Sequence, residues 1–341
     1  MPIQVLLSPA ALAWIGGAFE NKTRVSPMSN LDPSGFSIEA RDDLVARGVL
    51  DPGGNLNPAC YAALKELAAA TSYCRIRYSG GPALIEKTVY FSPTVTVSID
   101  NTPDGLLIEC PARSEQALES LSQFVGTSRL VNSELSVELA YDEALLLATM
   151  IDMRRRDVLR AYAEGAPGFV PQAHSLDQIA RAIESASDDP RWLASIVKSM
   201  KPSTGTAAES GSDAAGLETG QRLKQILDNL VRAGLVVQGP GGFDLAGEPS
   251  VFASSFLIVE GILHVQTGAQ GAGGEIQAAE CVFVQAGMRD IVSTDGGGGT
   301  VSMETLSGAL LQEYMRRFLS SPPVFSRRTV VVQPPHPVPS S

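Results

Sequence analysis

The chain has 341 residues, of which 44% are hydrophobic and 18% are charged, and its formal net charge is −11 at pH 7. That share of apolar residues can build two ordinary domains or one large body, and it excludes a chain that stays unfolded. Because the acidic balance repels phosphate backbones and anionic lipids, nucleic acid and a membrane surface are poor candidate partners.

The first half of the chain predicts helices that alternate with extended segments. Ser8 followed by Pro9 is typical of a capped helix start after a short strand, and Gly48 marks the end of a helix that begins near Ser37. Ser114 is the expected cap of a later helix. We expect a strand and a helix within 5–19, helices over 37–48, 58–70 and 114–124, and strands over 73–78, 84–91, 94–100 and 106–109.

The second half predicts a helical segment followed by another mixed segment. Residues 201–220 are small, polar and acidic, which favours a flexible linker, and the proline-rich end of the chain favours a disordered tail. We expect helices over 141–162, 175–185, 191–200, 223–233 and 302–319, and strands over 254–266, 276–286 and 290–294.

Two stretches of the sequence match each other at a nearly constant offset. Leu44 aligns with Leu230 at an offset of 186, and Ser114 aligns with Ser302 at an offset of 188. This pattern indicates two diverged copies of one unit, which would bury their sheet faces or join sheet edges about a pseudo-twofold axis. The alternative is two unrelated α+β segments that share a helix–turn signature.

The cysteines do not form the close pairs of structural zinc sites. A bridge between Cys60 and Cys74 is one reading, and free buried thiols, together with Cys110 and Cys281, are the favoured one. With no basic region before the first apolar stretch and no apolar run approaching the ~20 residues of a membrane span, we expect a cytoplasmic protein.

Residue types that carry catalysis are sparse and ungrouped. His174, His264 and His336 have no His or Cys at metal-ligand spacing. The glycine run over 268–274 lacks the Lys-Ser/Thr of a phosphate loop, and the run over 296–299 precedes the predicted last helix, whose N-terminus would be able to hold an anion. A loose hairpin and a flexible connection are the favoured readings. We therefore expect no catalytic residue, metal or cofactor, with an enzyme of unrecognised type as an alternative.

The segment 223–245 also has the outline of a winged helix, with an amphipathic helix followed by a glycine-rich turn. A DNA reader needs basic side chains on its recognition helix, and this helix offers Arg222, Lys224 and Arg232, partly offset by Asp228. A winged-helix transcription regulator is therefore the second functional hypothesis.

The helix predicted over 141–162 is unusually apolar before Arg154-Arg-Arg156. Core packing is one explanation, and a methionine-rich groove for a partner helix is the other. On the second explanation the candidate partner-binding residues are Leu145, Thr149, Met150, Met153, Phe256 and Ile258.

Short motifs in about the first 80 residues resemble the EspG family, the cytosolic chaperones of the type VII (ESX) secretion system. The similar residues are Leu7-Ser8 with Trp14 and Gly17, then Arg41-Asp-Asp-Leu-Val-Ala-Arg-Gly-Val-Leu50 with Gly54-Asn-Leu-Asn-Pro58, and Cys74-Arg-Ile-Arg-Tyr78. The rest of the chain is similar in element order. The resemblance implies a quasi-twofold arrangement of sheet and helical bundles. It also implies that an apolar tip of a secreted helical hairpin of the PE–PPE kind is bound without catalysis.

Together these observations predict an α+β fold in which two diverged helix–antiparallel sheet–helix repeats flank a helical bundle. The expected boundaries are 1–140 for the first repeat, 141–200 for the helical segment, 201–220 for the linker, 221–321 for the second repeat and 322–341 for the tail. The leading functional hypothesis is a non-enzymatic chaperone or adaptor, monomeric or homodimeric, that binds a helical protein partner.

Overall fold

One large antiparallel sheet takes strands from both halves of the chain. The computed structural model describes residues 3–32, 34, 37–81, 83–166, 170–201, 220–286, 290–297, 299–322 and 330–331. The predicted linker over 201–220 and tail over 322–341 fall mostly outside these ranges. Helices combined with an antiparallel sheet confirm the predicted α+β class.

The elements of the first half are strands β1 (Ile3–Leu7), β2 (Ser72–Gly80), β3 (Ala83–Phe91), β4 (Thr96–Thr102) and β5 (Gly105–Cys110), and helices α1 (Pro9–Gly16), α2 (Ile38–Ala46), α3 (Pro58–Ala68) and α4 (Ser114–Val125). Those of the second half are strands β6 (Ser136–Ala140), β7 (Val236–Gly239), β8 (Gly242–Leu245), β9 (Val259–Gln270), β10 (Ile276–Ala286), β11 (Asp290–Gly297), β12 (Thr300–Leu306) and β13 (Val330–Val331), and helices α5 (Tyr141–Ala163), α6 (Leu176–Glu184), α7 (Leu193–Ser199), α8 (Gly220–Arg232), α9 (Gly247–Ser255) and α10 (Gly308–Ser320).

Helix ends at equivalent places in the two halves share one hydrogen-bond pattern. Gly48 and Gly234 have φ values of 72° and 73°, a conformation that glycine adopts without a steric penalty. The next N–H groups, of Val49 and Leu235, donate to the carbonyls five residues back at 2.9 and 3.0 Å. Both α2 and α8 therefore end in a glycine-based C-cap, which confirms the helix end predicted at Gly48.

The predicted role of Ser114 as a helix cap is wrong. Ser114 is the first residue of α4, its hydroxyl donates to the carbonyl of Leu319 at 2.9 Å, and Arg113 precedes the helix without a side-chain cap. Ser302, its predicted counterpart, lies in β12, and α10 is capped by Ser307, whose Oγ accepts from Leu310 N at 3.2 Å. The aligned offset of 188 therefore does not join two helix starts.

Two other boundaries in the second half differ from prediction. The strand expected over 254–266 begins at Val259, because Gly247–Ser255 forms α9 with Pro249 in its first turn, where a missing N–H is tolerated. The short strand β6 was not predicted, because its alternation of exposed and half-buried side chains extends over five residues at the sheet edge, too few to distinguish a strand from a loop.

The strand order of the large sheet is β1-β5-β4-β3-β2-β9-β10-β11-β12-β6, with β13 beside β10. From one edge the order starts with β1, which precedes α1–α3 in the chain, and continues through the four-stranded meander β5-β4-β3-β2. From the other edge it starts with β6, which precedes α5–α9, and continues through the meander β12-β11-β10-β9. The two meanders meet edge to edge through β2 and β9. This is the order that two joined copies of one unit would produce, and the duplication itself stays a prediction.

Tyrosine rings cover glycines where β2 and β9 pair. Tyr73 lies directly opposite Gly268, and a Cβ added to that glycine would come within 2.2 Å of the tyrosine ring. On the other face, a Cβ on Gly261 would lie 2.5 Å from the hydroxyl of Tyr78. The seam between the two halves is thus packed with aromatic rings on glycine backbone, and both tyrosines are buried.

Helices cover the sheet in three groups. Helices α1–α3 cover the face of the first meander that carries Tyr73, and α5–α9 cover the same face of the second meander, which carries Ile262. Helices α4 and α10 pack on the opposite face against Cys74, Ile76 and Val265. Between the first two groups, Arg77 and His264 pair across the seam and are partly or fully exposed. The α1–α3 and α5–α9 groups are therefore separated by a polar stripe.

The buried carboxylate of Glu109 on β5 contacts side chains of β1, of β3 and of the segment before α4. Glu109 accepts hydrogen bonds from Gln4 Nε2 at 2.5 Å and Arg113 Nη2 at 2.6 Å, and the Lys87 ammonium lies 3.7 Å from its other oxygen. Burial acts to raise the pKa of Glu109, but these hydrogen bonds and charges outweigh it and hold the pKa below the ordinary 4.5. The folded state therefore favours the ionised form.

Glu109→Gln should make the stability of the fold depend less on pH under acidic conditions. Because the pKa is lower in the folded state, the carboxylate stabilises the fold above the unfolded pKa of 4.5, and this is lost as the pH falls through the folded value. Urea midpoints measured from about pH 6 down to about pH 3 should fall less steeply in the variant than in the wild type. Glu20→Gln, at an exposed position, is the control, and parallel profiles for wild type and Glu109→Gln would contradict the assignment.

Candidate functional site

Five of the six predicted partner-binding residues lie in the protein core. Leu145, Thr149, Met150 and Met153 pack inside the α5–α9 group, and Phe256 stacks on Phe252 with ring centroids 4.5 Å apart. Ile258 differs, with 66% of its surface exposed. This burial corrects the surface position expected for the five, since helices of this chain itself cover the apolar face of α5.

The three consecutive arginines of α5 have different environments. Arg154 pairs with Asp244 of β8, and Arg155 donates to Asp152 at 2.7 Å with both side chains 2% exposed. Arg156 lies over the ring of Trp192, 4.8 Å from its centroid. Arg155 also donates to the carbonyls of Arg191 and Leu257, both at 3.1 Å, so Arg154 and Arg155 join elements of the bundle, and Arg156 is the one that lines a cavity.

Asp152 is the centre of the buried charge network. Its two oxygens also accept the N–H groups of Leu193 and Ala194 at 3.2 and 2.9 Å, which fixes the start of α7 against α5. Burial raises the pKa of Asp152, opposed by Arg155 and these two N–H groups. The carboxyl lines none of the cavities described here, so its geometry suits attachment of a helix rather than chemistry on a substrate.

The remaining histidines and cysteines show no catalytic grouping within the described ranges. His264 Nδ1 lies 3.7 Å from Glu280 on the exposed face of the seam, and His336 lies outside the described residues. The four cysteines are free, as favoured from the sequence, and burial raises the pKa of Cys74 to about 12. In the part of the chain that the structure describes, no three His, Cys, Asp or Glu side chains are grouped to hold a metal ion.

The glycine runs form strand connections. Residues 271–274 make the turn between β9 and β10, in which Gly271 N donates to Glu275 O at 2.7 Å. Gly296 and Gly297 end β11 and Gly299 precedes β12, so the alternative of an anion site at a helix N-terminus there is wrong. The favoured hairpin reading is confirmed for the first run.

The basic side chains of α8 do not form a DNA-reading face. Arg222 pairs with Asp142 at 2.6 Å, Lys224 with Asp228 at 3.0 Å, and Arg232 donates to Asn229. At about 100° per residue, Arg222 and Lys224 point roughly 200° apart around the helix axis. Each cation already has a polar partner, and the three do not converge.

An open apolar cleft of about 730 Å³ lies between α1, the 50–56 segment and α3, and we call it the N-terminal cleft. Its walls include Trp14, Ile15, Leu50, Asn55, Leu56 and Tyr61. Trp14 is 38% exposed and Tyr61 is 46% exposed, so two aromatic rings of the cleft meet solvent. Sequence reasoning did not single out this cleft, although the spacing of Trp14 and Gly17 in the family-like motif was a signal for part of it.

Hydrogen bonds fix the walls of the N-terminal cleft. Asp51 N donates to Asn55 O at 2.8 Å, Asn55 N donates to Asp51 Oδ1 at 2.8 Å, and Gly54 takes a φ of 85°. The ring of Tyr61 stacks on Phe19 with centroids 5.5 Å apart. The cleft is therefore formed in the free protein and needs little reorganisation to accept a ligand.

A second cavity, of about 390 Å³, lies between α5 and α6 and is lined by polar and charged side chains.

Among the helices that the structure describes, none is long and apolar enough to cross a membrane. No protein-family model and no curated protein matches the chain.

Proposed function

We propose that the protein is a non-enzymatic adaptor or chaperone that holds an amphipathic helix of a partner protein in the N-terminal cleft. The observation that carries this proposal is the open apolar cleft with the exposed rings of Trp14 and Tyr61 on its walls. Recognition of a helix in a groove needs such a surface, because a few apolar anchors spaced along one helix face insert into it.

The lining of the cleft favours a helix over a small molecule. Its walls are mostly apolar and carry no charged side chain, whereas small-molecule sites usually add a few convergent polar groups that orient the ligand. A helix about 10–12 Å across would bury one apolar stripe against Trp14, Leu56 and Tyr61 and leave its polar face in water. Tryptophan and tyrosine are also the side chains most enriched among residues that dominate binding energy.

The family resemblance supports the same proposal. Trp14 and Gly17 of the first motif and Leu50, Gly54 and Leu56 of the second are distant in sequence and line one cleft. We therefore propose an EspG-like role, in which a secreted helical-hairpin protein is the partner. The symmetric strand order is in keeping with the quasi-twofold arrangement that the resemblance implies.

The positions of the titratable groups support a role without catalysis. Asp152, Cys74 and Tyr73, whose pKa values burial raises, lie inside packed cores and line neither cavity. Enzyme sites usually place such groups in a cleft where a substrate reaches them. Here the N-terminal cleft is apolar and the perturbed groups are elsewhere.

Trp14→Glu should abolish partner binding while the fold is kept. The variant places a charge where the proposal puts an apolar anchor of the partner, and we expect affinity to fall at least about tenfold. The tagged full-length chain, produced in its native host, should retain a helical protein at one-to-one stoichiometry, and Trp14→Glu should lose it. Leu84→Glu is the matched control, because Leu84 is 64% exposed and lies on β3 outside the cleft.

A second measurement uses the fluorescence of Trp14. The chain has two tryptophans, so Trp192→Phe leaves Trp14 as the single reporter. A synthetic peptide of the recovered partner's helix should shift the Trp14 emission to shorter wavelength. Retained binding in Trp14→Glu, or loss through Ile258→Glu alone, would reject the N-terminal cleft as the docking surface.

A further inference from the structure

The cavity between α5 and α6, which we call the arginine pocket, concentrates positive charge in an acidic protein. Its lining includes Arg156 and Arg160 of α5, Arg181 of α6 and His174 from the segment before α6. One carboxylate, Asp157, is part of the same lining. Three guanidinium groups therefore face one carboxylate in a chain whose formal net charge is −11.

Asp157 does not neutralise the arginine pocket. Its Oδ1 lies 3.9 Å from Arg160 Nη1, and its Oδ2 lies 3.4 Å from His174 Nε2. Arg181 donates through Nε to the backbone carbonyl of Asp177 at 3.1 Å, which leaves its terminal nitrogens directed elsewhere. In the described ranges, Arg156 and Arg181 have no carboxylate within 4.0 Å, so the pocket keeps an excess of positive charge.

Two of the polar side chains are held in place by neighbouring elements. The Arg156 guanidinium stacks on Trp192, an arrangement that holds the planar fork while its N–H groups stay available. The backbone of His174 exchanges two hydrogen bonds with Phe243 of β8, at 2.8 and 2.9 Å. Gly242 permits this approach, since a Cβ there would lie 2.2 Å from the carbonyl oxygen of His174.

His174 also presents an unused polar atom. Its Nε2 is buried, and it has no hydrogen-bond partner in the described part of the chain, because the approach to Asp157 is poorly aligned. Buried polar atoms are nearly always paired, so an atom of this kind beside a cavity of about 390 Å³ indicates a site for a further ligand.

We propose that the arginine pocket binds a small, multiply charged oxyanion, such as a phosphate ester or a polycarboxylate. Planar guanidinium groups match phosphate and carboxylate oxygens in two-point hydrogen bonds, which are among the strongest polar contacts in proteins. A cavity of about 390 Å³ is in the range of small-molecule sites and exceeds what a single ion needs. Arg156, Arg160 and Arg181 bind the oxyanion, and His174 Nε2 supplies a further hydrogen bond.

This site is independent of the proposed helix docking. The N-terminal cleft belongs to the α1–α3 group and the arginine pocket to the α5–α9 group, on either side of the polar stripe over the seam. Loss of one activity therefore leaves the other measurable.

Calorimetric titration of the full chain with inorganic phosphate and with citrate, in a buffer free of both, tests the proposal. Saturable binding is expected for at least one probe, weakening as sodium chloride is raised. Arg181→Gln and Arg156→Gln should each lower the affinity about tenfold or more. Arg47→Gln, which removes an equal charge from an exposed pair with Asp43, should leave the affinity unchanged.

Asp157→Asn is expected to raise the affinity for the probes, whereas the arginine variants lower it. Removing the one carboxylate from the lining should tighten binding several-fold, an outcome that loss of folding does not produce. Tighter binding of phosphate than citrate assigns a phosphate-bearing ligand, and the reverse order assigns a polycarboxylate. No saturable binding of either probe, or equal affinity in Arg181→Gln, Asp157→Asn and wild type, would overturn the proposal.

Discussion

Asp152→Ala is expected to lower the free energy of unfolding by about 3–5 kcal/mol, the usual cost of removing one partner of a buried ion pair. The change leaves the Arg155 guanidinium, 2% exposed, without its carboxylate. It also removes the acceptors of Leu193 N and Ala194 N, so the start of α7 loses its attachment to α5. Equilibrium unfolding in urea measures the loss, and far-UV circular dichroism checks that the variant folds.

The matched control for Asp152→Ala is Asp228→Ala. Asp228 pairs with Lys224 on α8 at 3.0 Å, with both side chains about half exposed, and such surface pairs contribute less than about 1 kcal/mol. The double variant Asp152→Leu/Arg155→Met should cost less than Asp152→Ala, because it leaves no unpaired charge. A loss in Asp152→Ala as small as that of Asp228→Ala would show that the pair does not hold the bundle together.

Gly268→Ala is expected to destabilise the protein by about 1–3 kcal/mol, although it adds a single methyl group. The new Cβ would lie 2.2 Å from the ring of Tyr73, which is 1% exposed and belongs to the apolar core covered by α1–α3. Either the ring or the β2–β9 pairing must shift. The expected effect is a lower urea midpoint, with the native content of helix and strand retained.

A double-mutant cycle separates this clash from the general cost of replacing glycine. In a Tyr73→Leu background the obstructing ring is gone, so Gly268→Ala should cost much less than it does alone. Gly239→Ala is the control, because a Cβ on this β7 glycine meets no atom within 4 Å. If Gly268→Ala lowers the free energy of unfolding equally in the wild-type and Tyr73→Leu backgrounds, the loss does not come from a clash with the Tyr73 ring.

Local patterns predicted most of the elements, and competing patterns explain the failures. Ser8-Pro9 and Gly48 set helix ends correctly, because capping depends on a few neighbouring residues. The 300–306 strand was assigned in part to a helix, because Met303, Leu306 and Leu310 also fit a helical spacing while the alternation of Val301 and Met303 is short. The joining of two meanders into one sheet required contacts between residues far apart in sequence, which periodicity does not contain.

The candidate sites were harder to predict than the fold. A methionine-rich helix has the same composition whether its neighbours are a partner or its own chain, and here α7, α8 and α9 pack against α5 and Met150 is buried. The arginine pocket depends on which of three adjacent arginines points outward. Arg154 and Arg155 pair with carboxylates in the bundle and Arg156 does not. Three identical residues in a row give no sequence signal that distinguishes the paired ones from the unpaired one.

The seam between β2 and β9 also has a consequence for the order of assembly. Each hairpin within a meander closes a loop of a few residues, whereas the pairing of Ile76 with Val265 joins positions 189 apart. Closing the longer loop costs roughly 2–3 kcal/mol more in chain entropy than closing a ten-residue loop. Contacts of such long separation slow folding, so the pairing that joins the two halves is expected to form later than the hairpins within each meander.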